Sequence, residues 1–150
     1  MIASEEFPRL TPANHRVTSP ATTDYNCVAW SAGDTNHWWQ PGVFWPISVP
    51  PDDYGIGVLE MAFIAIGFTD CGLDDSIEPG FEKVALYGSG AYYTHAARQL
   101  STGKWTSKLG RDVDIEHEVP DDVAGGIYGE VMQILRQKTP PPPPVVCRPA

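Results

Sequence analysis

Basic residues are scarce in this chain: ten Lys and Arg stand against nineteen Asp and Glu, for a net charge of −9. That balance repels phosphate backbones and anionic lipid, and the few cations are not clustered, so neither nucleic acid nor a membrane surface is an expected partner. No run approaches the roughly 20 apolar residues that a spanning helix needs. The N-terminal residues around Glu5, Glu6 and Pro8 have neither the basic opening nor the apolar stretch of a secretory signal. A cytoplasmic protein, or one exported without a cleaved signal, is the expectation. Cysteine is also sparse. Cys27, Cys71 and Cys147 are odd in number and far apart, which excludes a disulfide framework and argues against paired zinc ligands. Asp114, Glu116 and His117 crowd together without a second ligand cluster to complete them, so no metal and no cofactor is expected.

What the chain does have is enough apolar residue, 42% of 150, to build one continuous core and little more. Residues 1–139 are read as one domain, with 1–23 as an extended lead-in rich in Pro, Thr and Ser that Phe7 and Leu10 tack onto the body. Five consecutive prolines from Pro140 to Pro144 make 140–150 a polyproline tail. Asp24 offers an N-cap to a short helix over residues 27–32, closed by Gly33. Residues 34–51 are too rich in proline for a helix and too aromatic for a solvated loop. Residues 52–66 carry Leu59, Phe63 and Ile66 at helical spacing before Gly67 and predict a second helix. Strand-like segments follow at 82–87, 93–100 and 104–109, the last two joined by Ser101-Thr102-Gly103 as a hairpin. A final helix is expected over residues 120–138, with Val123, Ile127, Val131, Ile134 and Leu135 on one side and Arg136 and Lys138 at its end.

Cys27 at a helix start and His95 on a strand are the residues with chemistry to offer. Unpaired N–H groups and the positive end of the helix dipole favour thiolate over thiol, and an imidazole beside it can hold the proton. The Cys27 N–H, with the Asn26 side chain, could stabilise the oxyanion formed when a carbonyl is attacked. Trp38, Trp39 and Trp45 either pack the core or wall a substrate groove. His15 and His37 read as surface or packing residues, His117 as part of a solvated acidic stretch, Lys108 as a surface charge, and Cys71 and Cys147 as structural.

The segments Tyr25-Asn26-Cys27-Val28-Ala29-Trp30, Lys83-Val84-Ala85-Leu86-Tyr87, Thr94-His95-Ala96-Ala97 and Gly103-Lys104-Trp105-Thr106-Ser107-Lys108 resemble, in order and spacing, the papain-like cysteine hydrolase superfamily and its compact bacterial branch of NlpC-like and CHAP-like amidases and toxins. The resemblance spans residues 24–117, and those amidases usually carry Asp-Cys-Ser-Gly where this chain has Asn-Cys-Val-Ala. It implies an α+β fold, with an N-terminal Cys-bearing helix packed on a small antiparallel sheet and two further helices over it. It also implies Cys27 as nucleophile, His95 as base, Tyr25 as a substrate or oxyanion neighbour, and an orienting group about twelve residues after the histidine, at Ser107, with Asp112 and Asp114 as alternatives. The activity implied is a cysteine amidase or peptidase, such as a bacterial toxin or effector, acting on a peptide or amide substrate. A silent binding or immunity-type module meeting a protein partner, and a glutamine deamidase or transglutaminase-like enzyme, are the competing readings.

Overall fold

A computed structural model describes residues 5–139. Its centre is a seven-stranded antiparallel sheet in the order β1-β6-β5-β4-β3-β7-β2. The strands are β1 (His15–Ser19), β2 (Thr69–Asp70), β3 (Phe81–Ser89), β4 (Tyr92–Gln99), β5 (Trp105–Lys108), β6 (Asp114–His117) and β7 (Glu130–Lys138). Among the described residues, helix is confined to α1 (Cys27–Ser31), α2 (Ile56–Ala65) and a 3-10 turn at Pro120–Val123. The expected α+β papain-like architecture is therefore incorrect: a broad sheet carries the molecule and the helices are short.

The largest correction concerns residues 120–138. Gly125, Gly126 and Gly129 interrupt that stretch, and glycine is a poor helix former. Beyond them β7 pairs with β3 along nearly its whole length, from Phe81↔Lys138 to Gly88↔Glu130. Of the apolar positions that mimicked a helical period, Val131, Ile134 and Leu135 are spent on a strand whose ladder gives β3 its second neighbour, while Val123 ends the 3-10 turn and Ile127 lies in the loop after it. The lead-in is likewise not merely extended. Its residues 15–19 form β1, which pairs with β6 through Arg16↔Glu116 and Val17↔Ile115. The proposed polyproline tail, with Cys147, lies outside the described residues.

Both faces of the sheet are covered, and strand alternation sorts the side chains between them. One layer gathers Val28 and Ala29 of α1, Leu59, Ala62 and Phe63 of α2, Trp39 and Phe68 against Val84, Leu86, Ala96 and Leu135. The other gathers Phe7, Val123, Ala124 and Tyr128 against Ala85, Tyr87, Ala97, Trp105, Ile115 and Ile134. Burial of this kind contributes about 1.5–3 kcal/mol per large side chain before entropy is counted. Helix α1 lies across β4 and β5, where the Trp30 indole N–H donates to Thr106 Oγ1 at 2.9 Å. Among the described residues, no helix is long and apolar enough to cross a membrane.

The ladder between β4 and β5 is short. It comprises Arg98↔Thr106 and Gln99↔Trp105, whereas β4 stays paired with β3 back to Tyr92. Toward His95 no further β4–β5 pair forms, so the ladder ends well before β4 does. The chain passes so close to β3 at Gly129 that a Cβ there would meet the Gly88 carbonyl oxygen at 2.2 Å, at a φ of +65°. Gly33, at φ +81°, has open space around it. Gly33→Ala should thus cost about 1 kcal/mol of conformational strain, and Gly129→Ala several times that, as read from the midpoints of urea unfolding.

Candidate functional site

Cys27 is the first residue of α1 and is half-buried. Asn26 caps the helix: its side-chain oxygen accepts from Ala29 N at 3.1 Å and from Trp39 N at 3.2 Å, while its amide donates to Trp39 O at 2.8 Å. These bonds fasten the aromatic loop to the helix start. They occupy the Asn26 carbonyl oxygen twice and one of its two amide N–H donors, so the residue braces the helix start.

The Cys27 sulfur lies against the backbone N–H of Ala96 as well as the N–H groups of Val28 and Cys27 itself. Ala96 pairs with Leu86 of β3 and with no residue of β5, and it is next to His95 along β4. Burial pushes the thiol pKa up, opposed by those N–H groups and by the charge of Lys108. The hydroxyls of Tyr93 and Tyr128 are both raised, by burial first and then by a charge on Cys27. Tyr93 belongs with the α1 layer and Tyr128 with the opposite one, which places the sulfur within electrostatic reach of both.

His95 approaches β4 from the other face. Its ring is fully buried, stacked on Tyr128 with centroids 3.9 Å apart and edge-on to Tyr87 at 5.0 Å. Nε2 lies 3.0 Å from Ser107 Oγ. Ser107 Oγ in turn lies 2.7 Å from His117 Nε2, and His117 Nδ1 is 2.9 Å from the Val119 carbonyl. The remaining nitrogen, His95 Nδ1, is buried and has no hydrogen-bond partner. No hydrogen bond joins His95 to Cys27: the thiol belongs to the α1 layer and the imidazole ring to the layer of Tyr87 and Tyr128. Burial lowers the His95 pKa well below the ordinary imidazole value, with a smaller push from His117, and burial lowers that of His117 too.

Of the three candidates for an orienting group, only Ser107 reaches His95. Asp112 is exposed and its carboxylate accepts from Val113 N. Asp114 is buried on the α1 side, where it accepts from the hydroxyls of Thr18 and Tyr25. Tyr25 stacks on Trp30 at 5.3 Å and lies under the Lys108 ammonium. Lys108 is not a surface charge. Its side chain is fully buried and its ammonium donates to the carbonyls of Thr22, Gly110 and Asp112, fastening the lead-in to the β5–β6 turn. His117 also departs from its expectation, being 1% exposed and part of a hydrogen-bonded chain instead of a solvated acidic stretch. Alternation was the available signal: on β6, Ile115 and His117 face inward together while Asp114 and Glu116 point the other way. The same alternation splits Asp114, Glu116 and His117, and among the described residues no cluster of three metal-ligating side chains occurs.

The tryptophans divide. Trp39 is buried and donates to Asp34 Oδ2 at 2.8 Å, so it packs. Trp38 donates to Gln40 Oε1 and its ring lies 5.9 Å from the Arg111 guanidinium. Trp45 is partly buried between Trp39 and Tyr93, at 6.2 and 6.0 Å, and Tyr93 continues to Tyr54 at 5.9 Å. The Trp45 indole N–H is unpartnered. Trp45 and Tyr93 join Cys27 in the layer that holds α1. His37 stacks on Phe44 at 4.1 Å and pairs with Asp34. Cys71 donates to Ile134 O, a structural contact.

Because both buried imidazoles bind a proton less readily folded than unfolded, the unfolded state takes up more protons below about pH 6.5. Stability should fall as pH drops from 7 to 5. The carboxylates held low, Asp34, Asp74, Glu78 and Glu116, lose their contribution only at more acidic pH. Urea midpoints measured across this range should show the histidine phase first, and a curve flat between pH 7 and 5 would contradict the burial of the pair.

No curated protein and no solved structure matches the chain. One family does, a domain of unknown function, over residues 16–136, a span that takes in every strand from Arg16 of β1 to Arg136 of β7, together with Cys27, His95, Ser107 and His117. The chain belongs to the DUF7689 family.

Proposed function

We propose that the chain is a cysteine-dependent acyl-transfer enzyme, an amidase or peptidase in its hydrolytic form, with Cys27 as nucleophile and His95 as base. The observation that supports it is a thiol at a helix start whose charge is favoured by the Ala96 N–H, next along β4 to a buried imidazole whose Nδ1 has no partner and whose Nε2 meets Ser107.

In this reading His95 Nδ1 takes the thiol proton as sulfur attacks the carbonyl carbon, and the N–H groups at the start of α1 face the oxyanion. Collapse expels the amine, which leaves with the proton from His95. Water, deprotonated by the same nitrogen, then attacks the thioester, releasing the acid and restoring the thiol. The directions of the two pKa shifts, thiol up and imidazole down, mean that both groups are neutral at pH 7. Proton transfer accompanies attack and does not precede it. Trp45 and Tyr93 supply apolar area on the thiol side for the acyl group or its neighbours. A glutamine side chain is a carbonyl substrate for the same steps, with ammonia as the leaving group.

A silent recognition module is favoured by a different observation, the enclosure of the His95 ring between Tyr87 and Tyr128. Acylation separates the two readings. Incubated with a peptide aryl thioester, the full chain should gain one acyl mass on Cys27, Cys27→Ala should gain none there, and Cys71→Ser should behave as the parent. His95→Gln should slow acylation on the order of 10²-fold, the low end of what a positioned base contributes. Labelling of Cys71 in preference to Cys27, or indifference to His95→Gln, would establish the silent module.

A further inference from the structure

The hydrogen-bonded chain behind His95 has a direction, and that direction decides which of its nitrogens is basic. The Val119 carbonyl can only accept, so His117 Nδ1, 2.9 Å away, must carry a proton. His117 is buried, and its neutral form is favoured there, so its Nε2 is a bare lone pair that accepts the Ser107 hydroxyl hydrogen across 2.7 Å. A hydroxyl has one hydrogen. With that hydrogen given to His117, Ser107 Oγ can only accept from His95, across 3.0 Å, and His95 Nε2 must be the protonated nitrogen. His95 Nδ1 is then left as a lone pair, and it is the one ring atom of the four that has no partner.

We infer that His117 is a positioning residue for the reaction at Cys27: anchored on the Val119 carbonyl and acting through Ser107, it holds His95 in the Nε2–H tautomer and so presents Nδ1 as the base. The inference rests on the acyl-transfer reading for its catalytic meaning, but the tautomer it assigns is a property of the resting protein. The backbone sets this up without any charged group in the line. Val119 precedes the 3-10 turn, and its own N–H, with that of Glu118, is tied to Asp122 Oδ2 at 2.9 Å, so the carbonyl at the end of the chain is held by the turn that follows it. A carboxylate in place of Ser107 would fix the same tautomer but would also favour the imidazolium. A serine relayed to a second neutral imidazole fixes the tautomer and leaves the ring uncharged.

Nitrogen-15 imidazole spectra of the full chain at pH 7.5 read the tautomer directly. The parent should show His95 with Nε2 protonated and Nδ1 bare, and His117 with Nδ1 protonated and Nε2 bare. His117→Gln, whose side-chain oxygen can still accept from Ser107, should keep the His95 pattern. His117→Phe, which fills the space without an acceptor, should lose the single tautomer, because the freed hydroxyl can then donate to His95; Ser107→Ala, which removes the relay, serves as a second variant should the Phe protein not fold. A parent His95 protonated on Nδ1, or a His95 signal unchanged in both His117→Phe and Ser107→Ala, would overturn the inference. None of these spectra involves substrate, so a failure of acylation at Cys27 would refute the enzymatic reading and leave the tautomer assignment standing.

Discussion

Everything in this molecule follows from the double-sided burial of β3 and β4. A strand covered on one face can hide only every second residue, but here each position from Lys83 to Gly88 is buried, and successive side chains serve different layers. Ala96 belongs to the α1 side and His95 and Ala97 to the other. Cys27, at the start of α1, therefore lies with the Ala96 side of β4 while the His95 ring lies with the other. The β4–β5 ladder ends at Arg98↔Thr106, before it reaches either Ala96 or His95.

Polar groups survive in this interior because nearly all of them are paired. The Lys108 ammonium meets three carbonyls, Asp114 meets two hydroxyls, and Lys83 is closed by Glu78 and the Asp74 carbonyl. Leaving any one of these alone would cost several kcal/mol. Against that background four buried polar atoms among the described residues have no partner, Ser31 Oγ, Trp45 Nε1, Arg98 Nε and His95 Nδ1, and the last is the one that belongs to a group able to take up a proton near neutral pH.

Much of the local structure was legible from residue order. Gly67 marked the end of α2 and Ser101-Thr102-Gly103 the turn from β4 to β5; the first helix forms where it was expected, but its cap is Asn26 and not Asp24. Ser107 came from the resemblance, which implies a polar group about twelve residues after the histidine, and its hydroxyl lies 3.0 Å from the His95 ring. The rest was hidden for physical reasons. Val123, Ile127, Val131, Ile134 and Leu135 satisfy a helical period as well as they satisfy a strand preceded by glycine turns, and the choice was made by β3, which needed a partner far away in sequence. Local pattern carries no record of such pairing. β1 and β6 escaped notice because each is short and half polar. His117 was masked by Glu116 and Glu118 on either side; only alternation with Ile115 betrays that it points inward.

The lead-in has one more implication. Phe7 packs beside Tyr128 on one layer, Arg16 pairs with Glu116 across 100 residues at the sheet's edge, and Thr22 is held by Lys108 before the chain enters α1 on the other layer. Residues 5–25 thus form a strap that wraps around the open side of β6, from one covering layer to the other. Its docking sites are made from segments synthesised long afterwards, so the portion that leaves the ribosome early must wait, unfolded, until β5 and β6 exist. A sequence poor in apolar residues and rich in Thr, Ser and Pro suits that waiting period, because it gives the strap little to aggregate with before its seat is built.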